Sequence, residues 1–152
     1  MNIKFFGATR EVTGSCYLVQ VNDKNILVEC GMLQGSHEHE RHNHDPFPFD
    51  VSELDAVIVS HAHLDHTGRL PMLIKEGFHG NIFTHNATVD LCEIMLVDSG
   101  YIHEKDARWE NKKRERKGLT LIEPLYTTAE AKRVLQYFKG LNYDKEIEIY
   151  YL

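Results

Sequence analysis

The sequence is poor in the features of a secreted, membrane-bound or nucleic-acid-coating protein. Its three cysteines, Cys16, Cys30 and Cys92, are odd in number and widely spaced, which argues against a disulfide framework. Each has apolar neighbours and reads as a small buried hydrophobe. No apolar run approaches the ~20 residues that a bilayer span requires, so no membrane association is expected. The opening Met-Asn-Ile-Lys-Phe-Phe-Gly has neither the long apolar core nor the cleavage site of a signal peptide, and the expected location is cytoplasmic. Positive charge is not in excess. The formal net charge of −6 argues against a chain that binds nucleic acid indiscriminately. There is no internal repeat. With 42% hydrophobic residues in 152, the chain reads as globular, with length for one domain over residues 1–152.

Histidine is abundant, with ten in all, and three of them lie with an aspartate in one close pattern. Residues 55–60, Asp-Ala-Val-Ile-Val-Ser, form a short apolar, β-branched run that reads as a buried strand. His61-Ala-His63-Leu-Asp65-His66 follows directly. A helix cannot aim all four polar side chains at one point, but a tight loop at a strand end can. Imidazole and carboxylate suit zinc or another borderline divalent ion. His61 with His63 can hold one ion, and Asp65 with His66 a second. Paired ions suit phosphodiester cleavage, because they activate a water and stabilise both oxygens of a displacement. A second histidine-rich stretch, His37 to His44, alternates with charge and has no strand or helix to anchor it. It reads as a solvated loop, with metal storage as a weaker alternative.

Along the chain, strands are expected at 3–6, 15–21, 26–30, 55–60 and 80–84, with 22–25 as a turn and 31–48 irregular. Helices are expected at 67–76, from Asn86 to about Lys117, and at 128–139. In the long helix Asn86 serves as cap, and Leu91, Ile94, Met95, Val97 and Ile102 form the apolar side. In the last helix Thr128 caps, while Val134, Leu135 and Phe138 face inward. A final alternating segment, 146–152, reads as a strand. Lys112, Lys113, Arg114, Arg116 and Lys117 make a basic run that is either a solvated helical face or a contact for RNA.

Phe6-Gly-Ala-Thr-Arg-Glu-Val-Thr-Gly-Ser-Cys-Tyr-Leu18, the metal loop through Pro71, Ile82 to Leu91, Asp98-Ser99, the Glu104 to Gly118 run and Glu123-Pro-Leu-Tyr-Thr127 occur in a characteristic order. Together they resemble the β-CASP branch of the metallo-β-lactamase superfamily, RNA-processing nucleases related to the polyadenylation-factor endonuclease. The resemblance implies an α/β fold of the αββα sandwich type. It implies zinc as cofactor, two ions in the full-length family, RNA as substrate, and His61, His63, Asp65 and His66 as ligands. Asp65 and His66 would also be catalytic. Family members carry an aspartate where Glu29 stands, behind the ligands, and the extra methylene displaces its carboxylate by about 1.5 Å.

The family's downstream ligands, a histidine in a Gly-His-like turn and an ion-bridging aspartate, have no counterpart in these 152 residues. The resemblance therefore implies an incomplete sandwich, its N-terminal half plus the start of the following region, in a single truncated domain. At most one weakly held zinc and little activity in isolation are expected. The alternative is a non-catalytic oligomerisation or docking module, with an open strand edge and an uncovered apolar face. Either reading makes a homo-oligomer, or a partner chain supplying the missing half, the expected assembly.

Overall fold

In the computed structural model, which describes residues 1–148, six strands form one sheet in the order β1-β2-β3-β4-β5-β6. β1 (Asn2–Phe5), β2 (Cys16–Val21) and β3 (Lys24–Cys30) form an antiparallel meander. The β2–β3 turn is only Asn22-Asp23, both with positive φ. That conformation defines the two-residue hairpin turn whose twist matches its strands. β4 (Ala56–Ile58), β5 (Asn81–His85) and β6 (Phe138–Leu141) then add in parallel, each reached by the longer crossover that parallel pairing needs.

The register places Leu18, Leu27, Val57, Ile82 and Phe138 opposite one another in a continuous row across five strands. All five are buried. Helices cover this side: α3 (Leu70–Lys75) and the long α4 (Asn86–Arg116) both pack on α5 (Thr128–Val134). The adjacent row, Tyr17, Val28, Ile58 and Phe83, points to the other face. There Ile58 is exposed and the other three are half-buried. One apolar face of the sheet is thus covered and the other is open among the described residues.

Several expectations change in detail. Helix 67–76 is two pieces, α2 (Leu64–Thr67) and α3. Pro71, in the first turn of α3, lacks the amide that would continue the ladder from α2. Residues 31–48 hold a short helix, α1 (His37–Glu40), and a 3₁₀ turn, Arg41–His44. α4 is capped by His85, whose Nδ1 accepts from the Ala87 amide at 3.1 Å, not by Asn86. The buried face of α4 is Thr88, Cys92, Leu96, Ser99, Gly100 and Ala107. Leu91, Ile94 and Ile102 are exposed instead, while Met95 and Val97 are partly buried. The face is small because the backbone of Thr127 and Thr128 passes 3.0 Å from where a Cβ on Gly100 would lie.

Thr127 rather than Thr128 caps α5, in a reciprocal capping box with Glu130. The helix ends early, and Phe138–Leu141 becomes β6. Val134 and Phe138 are buried, as expected, and Leu135 packs against the core. Residues 145–148 have no regular structure, so no strand starts at 146. The remainder of the expected final strand, 149–152, lies outside the described residues. All three cysteines are free and buried, and no helix among the described residues is long and apolar enough to cross a membrane.

The sheet and the metal loop meet at Gly31. A Cβ there would collide with the carbonyl of Asp65, and backbone has no rotamer by which to escape. Gly31→Ala is expected to lower stability by about 3 kcal/mol, read as a reduced urea midpoint at unchanged slope.

Candidate metal centre

β4 ends at Ile58, and the chain leaves the sheet after Val59, whose amide still donates to Phe83 O at 2.9 Å. Residues 60–63 then cross the sheet end as a loop, and His63 opens the single turn of α2. Backbone hydrogen bonds pin this segment to the end of β3. Ser15 N donates to Asp65 O, Met32 N to Leu64 O, and Arg69 N to Cys30 O, at 2.8–2.9 Å. Thr67, fully buried, donates its hydroxyl toward Ala62 O and His63 O. The sequence thus sets four chemically active side chains on a short loop whose own backbone is spoken for.

The four side chains converge. His61 Nε2 lies 3.2 Å from His63 Nδ1, and the His61 and His66 rings are 4.1 Å apart. His66 Nε2 lies 3.5 Å from Asp65 Oδ2. Two ligands of one tetrahedral zinc, at bond lengths of 2.0–2.1 Å, stand about 3.3 Å apart. Both donor pairs therefore have the spacing of ligands sharing an ion. His61 Nδ1 is 2.9 Å from Ser60 Oγ, and the tautomer that donates this proton leaves Nε2 a lone pair for a cation. The pairs do not merge into a fuller shell: no group of three or more His, Cys, Asp or Glu among the described residues is placed to hold an ion.

Glu29 stands behind them. It is 5% exposed and has φ +63°, a left-handed conformation that costs a non-glycine residue about 1 kcal/mol or more. Its Oε1 accepts from the Ser60 amide at 3.0 Å. Its Oε2 lies 3.3 Å from His66 Nδ1, near enough for strong attraction but not aligned, so both buried atoms lack a hydrogen-bond partner. A carboxylate behind a ligating imidazole orients the ring and raises its basicity. A cation at Nε2 would draw the Nδ1 proton toward Glu29 and satisfy both atoms. The glutamate side chain reaches the loop from a left-handed backbone position.

Other histidines serve elsewhere. His85 caps α4 and stacks on Tyr143 at 4.2 Å. His79 is exposed, while His103 is half-buried with Nε2 3.2 Å from Ser99 Oγ. Desolvation, with His44 nearby, lowers the pKa of His103. In the His37 to His44 stretch, His39 and His42 pair with Glu11 and Asp45, so no metal-holding group forms there. Burial pushes the thiols of Cys16 and Cys92 up to about 12 and that of Cys30 well above its usual value.

The basic run is divided. Arg114 Nε donates to Thr120 O at 2.6 Å, and Lys113 Nζ lies 3.1 Å from the centre of the Trp109 ring. Lys112 lines a groove on the outer side of α4; Arg116 and Lys117 are exposed at its end.

The metallo-beta-lactamase superfamily model matches residues 9–91, more than half the chain. The chain belongs to the metallo-beta-lactamase superfamily. It is 52% identical over 99 residues to Ribonuclease TTHA0252 of Thermus thermophilus, covering 65% of this chain and 22% of that protein. It is 35% identical over 108 residues to transcription termination factor FttA of Methanocaldococcus jannaschii, covering 71% of this chain and 17% of that one. Among solved structures, MEM-A1, a subclass B3 metallo-beta-lactamase from a soil metagenome library, aligns at a TM-score of 0.47 and 13% identity, over 90% of this chain and 42% of that one. The chain thus spans about a fifth of the length of the curated relatives it matches. These relatives agree with the β-CASP resemblance seen in the sequence.

Glu29→Gln keeps an acceptor for Ser60 and removes the charge behind His66. Metal affinity is expected to fall about tenfold or more, measured by competition with a chromogenic chelator, with the thermal midpoint little changed.

Proposed function

We propose that this chain carries one part of a two-zinc centre that hydrolyses RNA phosphodiester bonds. The observation that carries this reading is the two donor pairs at ion-sharing distances on one loop, in a chain similar to a ribonuclease. His61 and His63 would hold one ion, Asp65 and His66 the other. When bound, the ions supply Lewis acidity toward phosphate oxygens and lower the pKa of water. With an ion on Nε2, Glu29 Oε2 would accept the Nδ1 proton and orient the His66 ring, and the Ser60 amide bonded to Glu29 fixes where the loop departs from β4. The remaining donors come from a further segment or a second chain, because no third protein ligand lies beside either pair among the described residues.

By itself the 152-residue chain is expected to bind at most one zinc, weakly, and to leave single-stranded RNA uncut, since a loosely held site loses much of its rate. Extended by the remaining length of the Thermus ribonuclease, it is expected to cleave RNA, and Asp65→Ala is expected to remove that activity. Two tightly held ions on a monomer of the short chain, or cleavage that survives Asp65→Ala, would overturn the proposal.

The open sheet face and the edge strands β1 and β6, unpaired on their outer sides among the described residues, support a second reading, a docking or self-associating module. Tyr17, Val28, Ile58 and Phe83 form an apolar strip with no layer over it among the described residues. A homo-oligomer, or a complex with a chain that supplies the covering layer, would bury it. Sedimentation at high micromolar concentration is expected to show a dimer or larger species, and Ile58→Lys is expected to shift it toward monomer. A stable monomer of the unaltered chain would count against this assembly.

A further inference from the structure

α4 is 31 residues long, about 46 Å, and beyond Ala107 it buries none of its residues. Along its outer side lies an open groove of about 800 Å³, lined by three cations (Lys105, Arg108, Lys112), one acid (Glu115), Asn111, Leu121 and the rings of Tyr101 and Trp109. Its wall is built. Asn111 exchanges two hydrogen bonds with the backbone of Ile122, at 2.8 and 2.9 Å. Arg114 holds Thr120 O. The returning segment is thereby fastened along the helix, and Leu121 is held beside the aromatic rings.

Two observations indicate what the groove takes. First, Trp109, the single tryptophan of the chain, is 62% exposed, and Tyr101 is 46% exposed. Large aromatic rings are usually well buried, and these two stand about 12 Å apart along the helix axis. Second, cations surround both. Lys113 lies over the Trp109 ring, and Lys105 Nζ is 4.6 Å from the centre of the Tyr101 ring. Arg108 and Lys112 line the same groove. Residues 101–118 carry seven Lys or Arg against four Asp or Glu, a local +3 in a chain of −6. A neighbouring groove reached by Arg114 is lined by Glu40, Glu110 and Glu123, which disfavours phosphate there. Aromatic faces interleaved with cations match a strand whose bases are free to stack and whose phosphates are evenly spaced.

We propose that the outer face of α4 is a binding site for single-stranded RNA, with Tyr101 and Trp109 stacking on bases and Lys105, Arg108 and Lys112 holding phosphates. The site deepens the RNA reading of the metal centre and rests on it for its biological sense, but not for its chemistry. It would grip substrate at a distance from the scissile bond and leave the ions free of the work of affinity.

The single tryptophan supplies the readout. The 152-residue chain, in EDTA so that neither metal nor cleavage takes part, is titrated with a single-stranded oligonucleotide of RNA, the same strand in duplex form, and inorganic polyphosphate. Single-stranded RNA is expected to quench Trp109 fluorescence, and the duplex and polyphosphate to quench far less. With labelled RNA and anisotropy, Tyr101→Ala and Trp109→Ala are each expected to weaken binding about tenfold, while Trp109→Phe keeps most of it. Lys112→Ala is expected to flatten the log–log salt dependence by about 0.7. Unchanged affinity in both alanine variants, equal quenching by duplex and polyphosphate, or quenching by protein concentration alone would overturn the site. RNA cleavage by the extended chain with affinity unaffected by Trp109→Ala sinks this site alone. Intact quenching with no RNA cleavage by the metal-loaded extended chain sinks the hydrolase reading alone.

Discussion

The grip of Glu29 on the loop after β4 is the interaction on which the candidate centre depends. A buried carboxylate is costly unless its oxygens are engaged. Here one oxygen takes the Ser60 amide and the other faces His66. The residue holds a left-handed backbone to do so, which the surrounding bonds from Ser15, Met32 and Arg69 enforce. The end of β3, the end of β4 and the first turn of α2 are locked together at this point. The four candidate side chains stay near one another because their backbone has little freedom.

The loop after β4 was legible because strand and loop signals coincide there: a β-branched run, then four polar side chains in six residues. The hairpin was legible from Asn22-Asp23, and the burial of the cysteines from their neighbours. The inward face of α4 was not. Counting large apolar residues selected Leu91, Ile94 and Ile102, but the helix packs through Thr88, Cys92, Ser99 and Gly100. Close approach of the Thr127–Thr128 backbone favours small side chains over greasy ones, and a hydrophobicity pattern does not register that preference.

β6 was hidden for a related reason. Val134, Leu135 and Phe138 suit a helical face and are all directed to the core or packed against it, yet the helix ends before Phe138. The contact that decides it is tertiary: Phe138 pairs with Ile82 and completes the buried row across the sheet. The left-handed backbone at Glu29 was equally unreadable, since glutamate has no preference for it.

Strand order in this sheet follows chain order without a single interruption. Every strand therefore meets, as its partner, the one that left the ribosome just before it. N-terminal segments emerge first during synthesis, so the sheet can grow by one edge at a time and no strand waits for a partner not yet made. The candidate metal loop follows the fourth strand, and its anchors just before β2 (Ser15), in β3 (Glu29 and Cys30) and just after it (Met32) are made before it arrives. The ligand-bearing loop is then shaped during synthesis against a surface that already exists.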